Sequence, residues 1–240
     1  MANPILNENF AENERVLQGA PMTINGTIQI TAFLGFLLIA AAYFVWSRYT
    51  LGFTDMAIML TGIGGIAGFV TGLIVAFTRI KYLVPVYAVC EGLFLGGISA
   101  TFEVSYPGIV IQAIGATFAA LFAMLILYRL NIISCTDKFR SVIFISTASI
   151  AVVYIVNLIG SFFGLHVPLL NSSSPAGIAI SAVICVIAAL NLVIDFDFIE
   201  RGAQNMLPKD FEWYGAFGLM VTLVWLYLEI LRLLAKINRR

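Results

Sequence analysis

The sequence predicts an all-α integral membrane protein with seven transmembrane helices. The 240-residue chain is 61% apolar and only 11% charged, whereas soluble domains are about 45–50% apolar and ~25% charged. Seven apolar runs approach or exceed the ~20 residues that a helix needs to cross the hydrocarbon core. The breaks between them are short, so sequential helices are expected to be antiparallel neighbours. No stretch alternates as a membrane β-barrel strand would.

Residues 1–26 read as a polar tail, with Glu8, Glu12, Glu14 and Arg15. A secretory signal needs a basic start and a short apolar core, and this tail has neither. It is expected to be mobile and cytoplasmic, and the run after it to be retained as a spanning helix. Residues 27–240 then form a single seven-helix domain.

The first run is 28–46, closed by the break from Ser47 to Asp55. The second, 56–77, carries Gly64, Gly68 and Gly72 on one face, and ends at Thr78 to Tyr82. The third, 83–101, carries Gly92 and Gly96 at the same spacing, with Glu91 beside them. In lipid no hydrophobic force drives helices together, so small-residue faces let backbones approach and gain van der Waals contact. The fourth run, 109–128, lies between the breaks Glu103 to Gly108 and Arg129 to Ser141. The fifth, 142–163, contains Asn157, a residue suited to hydrogen bonding between helices. The sixth, 178–198, follows Gly164 to Gly177, and the seventh, 214–234, follows Glu200 to Glu212.

Net formal charge is zero, so nothing electrostatic points to nucleic acid. Cys90, Cys135 and Cys185 are odd in number and lack metal-type spacing, which argues against a disulfide framework or a zinc site. His166 has no partner pattern for catalysis. With no His-Glu-x-x-His motif, no Ser/His pair inside a span and no nucleotide loop, an enzyme is not expected.

Lys and Arg set the orientation. Arg15, Arg79, Lys81, Arg129, Lys138, Arg140, Arg201 and Lys209 fall on one side, against Arg48 alone in the opposite loops. This bias places the amino terminus in the cytoplasm. Arg232, Lys236, Arg239 and Arg240 then lie on the other side, unless the seventh helix is re-entrant or shifted, and the side of the carboxyl tail stays open.

Ionisable groups inside membrane helices are costly and mark function by default. Asp195 lies in the sixth run with Asn191 four residues earlier on the same face. Asp197 points elsewhere, and Glu200 and Arg201 are expected at the water boundary. Glu229 lies deep in the seventh run with Arg232 one turn later, and Glu91 lies about a third of the way into the third. Plainer readings compete. Glu229 and Arg232 fit an ion pair that anchors a helix end, and Asp195 fits a boundary acid. Two carboxylates brought together in a low-dielectric interior cannot both ionise cheaply and titrate as a unit. Ionised, they would also suit Ca²⁺, which takes oxygen ligands.

The stretch Ile194-Asp195-Phe196-Asp197-Phe198-Ile199, with Leu226-Tyr227-Leu228-Glu229 after it, resembles the paired acidic motifs of the Bax inhibitor-1 family. Glu91-Gly92-Leu93-Phe94-Leu95-Gly96-Gly97-Ile98-Ser99 and Glu212-Trp213-Tyr214-Gly215 are similar to a bacterial branch, the Bax inhibitor-1/YccA-like proteins. The resemblance implies a fold with the last helix central and wrapped by the other six. It implies a pH-dependent Ca²⁺ leak gated by two aspartates, whose counterparts here are Asp195 and Glu229, with Arg79 as a basic partner of Asp195. The second acid is Glu instead of Asp, and the loop between the acids is longer than the family's short version. By the predicted spans the two acids differ in height by roughly 15–20 Å, and Glu91, about 12 Å into its helix, competes as the partner of Asp195. The expected function is therefore a pH-sensitive Ca²⁺ leak in a multi-pass protein of a bacterial inner membrane, with an organelle membrane as runner-up. The alternative is a regulator that binds other membrane proteins, a protease or cell-death machinery, through the glycine faces.

Overall fold

The computed structural model describes residues 20–164 and 172–239, without the side chain of Phe162. Seven helices follow one another in it: α1 Ile24–Thr50, α2 Thr54–Thr78, α3 Leu83–Ser105, α4 Ile109–Arg129, α5 Asp137–Phe162, α6 Pro175–Gln204 and α7 Phe211–Asn238. All seven are long and apolar enough to cross a membrane.

Most of the helices start earlier or end later than the apolar runs, because hydropathy marks the hydrocarbon while caps mark helix ends. Thr23 accepts a hydrogen bond from the Gly26 amide and starts α1 inside the stretch expected to be tail. Thr136 does the same for Phe139, so α5 begins five residues before its apolar run and takes in Lys138 and Arg140. Ser174 caps α6 ahead of Pro175, which suits the first turn, where no amide partner is needed. Residues 20–23 are docked on the α6–α7 connection: Met22 donates its amide to the Leu207 carbonyl, at 2.7 Å. The charged tail residues Glu8, Glu12, Glu14 and Arg15, together with His166, lie outside the described residues.

α7 is the central helix. It packs on α1, α3, α4 and α6, and its buried residues run from Glu212 near its start to Lys236 near its end. α3 is clasped between α1 and α2. There the glycines matter: a Cβ at Gly92 would collide with the Leu38 carbonyl, and one at Gly96 with the Ala42 carbonyl. On the α2 side, Gly64 faces the Cys90 carbonyl, Gly68 the Glu91 carboxylate and Gly72 the Tyr87 ring. These faces are filled by helices of the same chain and leave no free stripe for a partner. α5 is the outlier. Among the described helices its backbone packs on α6 alone, and Phe144, Ile145, Val152 and Val156 are exposed along it, where lipid would cover them.

The seventh helix is a full span. The Glu212 carboxylate, in its first turn, accepts hydrogen bonds from the Thr23 amide and hydroxyl, both at 2.9 Å. At its other end Lys236 donates to Ser181 at 2.6 Å and to the Gly177 carbonyl at 3.2 Å, both in the first turns of α6. The start of α1 and the end of α7 therefore lie at opposite ends of the bundle, here called near and far. The near end is tied by Lys81 and Asp210, 2.6 Å apart. That neighbouring carboxylate holds the Lys81 ammonium above the ordinary lysine range.

Candidate functional site

Asp195 points from α6 into its contact with α7. A Cβ on Gly218 would lie 3.4 Å from its Oδ1, and its polar neighbour across the interface is Thr222. The residue is half-buried, but its Oδ2 is enclosed and has no hydrogen-bond partner among the described residues. A buried acceptor left unpaired costs ~1–3 kcal/mol, and more when charged.

Glu229 is in the opposite condition. It is 1% exposed and accepts from four donor contacts. Tyr154 of α5 reaches both carboxylate oxygens at 2.8 and 2.9 Å, Trp225 donates at 3.1 Å and Arg232 at 3.2 Å. The Arg232 guanidinium also lies 5.2 Å from the centre of the Tyr154 ring. The anchoring ion pair that the i, i+3 spacing allowed is therefore present.

The structure does not bring Asp195 and Glu229 together. Asp195 stands beside Gly218 and Thr222, and Glu229 follows these by eleven and seven residues respectively, or about 10–16 Å along α7. Glu91 is elsewhere again, half-buried in the α2–α3 contact with its Oε1 2.9 Å from a Cβ built on Gly68. α3 and α6 do not pack on one another among the described helices, so Glu91 does not meet Asp195. Arg79 caps α2 in a left-handed conformation, φ 56°, and lies 5.9 Å from the centre of the Phe211 ring. That position is at the near edge of α7, a helical stretch away from Asp195. Asn191, one turn before Asp195, turns to α5 and donates to Thr147 at 2.9 Å.

From the sequence Asp197 reads as an interfacial acid, but the structure buries and pairs it. It is 5% exposed and bridged by two arginines, Arg140 of α5 at 2.7 Å and Arg201 at 2.9 Å. The i, i+4 spacing to Arg201 was a visible signal, whereas Arg140 could be found only in three dimensions. Asp197 and Arg201 border a cavity of about 510 Å³ at the near end, lined also by Tyr128, Cys135 and Asp137. Burial pushes the Cys135 thiol above its ordinary range, which makes it a poor nucleophile at neutral pH.

The central seventh helix matches what the motifs imply, whereas the two motif acids, Asp195 and Glu229, do not pair. The Bax inhibitor 1 like family model matches residues 3–239, nearly the whole chain. The protein belongs to the Bax inhibitor 1 like family. No curated individual protein matches the chain. Within this Bax inhibitor 1 like chain, the motif acids have different surroundings: among the described residues Asp195 has one enclosed oxygen without a partner, and Glu229 accepts from Tyr154, Trp225 and Arg232. Among the described residues no three His, Cys, Asp or Glu side chains converge as a metal-holding group.

Proposed function

We propose that the protein is a pH-sensitive cation leak of the Bax inhibitor type, non-enzymatic, with Ca²⁺ as cargo and Asp195 as its proton-responsive gate. The observation that carries this reading is the enclosed, unpartnered Oδ2 of Asp195 in the contact of α6 with the central helix. A charge there must recruit water, a cation or a new polar neighbour, so the charge on Asp195 and the α6–α7 contact are linked. Thr222 and Gly218 leave room for that contact to change without breaking an ion pair. The Lys and Arg bias supports an inward-facing near end, and the motif resemblance supports a bacterial inner membrane.

The test is Ca²⁺ flux in proteoliposomes across a pH series. Asp195→Asn, nearly isosteric and unable to ionise, is expected to abolish the pH dependence. Glu229→Gln is expected to keep it, because Glu229 already has its partners within the bundle. If Asp195→Asn follows the wild-type profile at every pH, Asp195 is not the gate.

A further inference from the structure

The outlying helix α5 touches the bundle through a row of polar groups at seven-residue spacing. Arg140 pairs with Asp197 at 2.7 Å. Thr147 accepts from Asn191 at 2.9 Å. Tyr154 donates to Glu229 at 2.8 Å. Seven residues are two helical turns, so the three lie on one stripe, with steps of about 10 Å. The stripe starts beside the near-end cavity bordered by Asp197 and Arg201 and continues at the far end into Arg232, which pairs with Glu229.

We propose that the ion path of this protein runs along this stripe, between α5 and the α6–α7 pair, and opens when α5 moves outward, with Asp195 in the adjoining α6–α7 contact as the proton-responsive element. This rests on the reading of the protein as a cation leak and adds the route. Two physical reasons favour it. A passage must be lined by groups that can take up water as neighbours separate, and the α5 seam supplies them from end to end. The α1–α3 contact, by contrast, is closed by backbone against glycine. The mover should also be the helix with least to lose, and among the described helices the backbone of α5 packs on α6 alone. Its other ties are the side-chain contacts of the stripe itself, so α5 can part from α7 by exchanging polar partners for water and without breaking helix-on-helix backbone packing. The two charged locks, Arg140–Asp197 near one end and Tyr154–Glu229–Arg232 near the other, would hold the seam shut at both ends.

The experiment places cysteines at the middle of the seam, Thr147→Cys with Asn191→Cys, in the full chain. A short bifunctional thiol reagent then joins α5 to α6, and Ca²⁺ flux is measured in proteoliposomes. Wild type and each single-cysteine variant receive the same reagent as controls for Cys90, Cys135 and Cys185. The double variant is expected to leak before treatment and to fall to the level of protein-free liposomes once joined, with all three controls still leaking. Undiminished flux in fully joined protein overturns the route while leaving the leak itself standing. Absence of flux from untreated wild type would instead remove the underlying reading. As an independent readout, Thr147→Cys should be modified by a small charged thiol reagent under leaking conditions. Complete protection there would also overturn the route.

Discussion

At the scale of single residues, three membrane carboxylates show how neighbours decide what an acid does. Glu229 has a phenol, an indole and a guanidinium around it. Asp197 has two guanidinium groups. Asp195 has an enclosed oxygen with no partner. Removing one member of a buried ionic cluster strands the others, at about 3–5 kcal/mol. Glu229→Ala should therefore lower thermal stability in detergent strongly, because Arg232 and Tyr154 lose their acceptor. Asp195→Asn should leave stability near wild type while altering transport, since no bond to Oδ2 is lost. Comparison of the two melting temperatures checks this, and a larger loss for Asp195→Asn would reverse the assignment of structural and functional acid.

At the scale of helices, close approach and polar contact divide the bundle. α3 lies against α1 where Gly92 and Gly96 meet carbonyl oxygens, so an added side chain has only backbone to push against. Overpacking typically costs ~1–3 kcal/mol, and Gly96→Val should reach or exceed the upper end of that range. Gly115→Ala is the contrasting case: nothing lies within 4 Å of its Cβ position, and alanine is the better helix former by about 1 kcal/mol. Thermal unfolding of both variants should show a large loss for the first and none for the second. The glycine rows on α2 and α3 were readable from spacing alone, because a four-residue repeat is a local property. Their neighbours were not, since Leu38 and Ala42 carry no signal that marks them as the opposing surface.

At the scale of the whole molecule, the seven spans leave the start of α1 and the end of α7 on opposite sides of the bundle. The sequence raised a re-entrant last helix only to reconcile Arg232, Lys236, Arg239 and Arg240 with the charge bias. Here Arg232 is drawn in by Glu229, and the buried Lys236 is drawn in by Ser181 and Gly177. Two of the four bases are thus partnered within the far end of the bundle, which weakens their weight against the proposed inward orientation of the near end. Single cysteines introduced at Ala20 and at Asn238 should accordingly react with an impermeant thiol reagent from opposite faces of sealed vesicles. Labelling of both from one face would contradict a full seventh span.

Seven helices, their order and the acids buried in the sixth and seventh were determined by the sequence alone, because hydropathy and spacing are properties of contiguous residues. The partners of those acids were decided only by the tertiary structure. Tyr154 and Glu229 are 75 positions apart, and Arg140 and Asp197 are 57 apart. A carboxylate in a membrane helix announces that it needs a neighbour. Packing decides which carboxylate receives one, and here it left Asp195 without a partner for its enclosed oxygen at the face of the central helix.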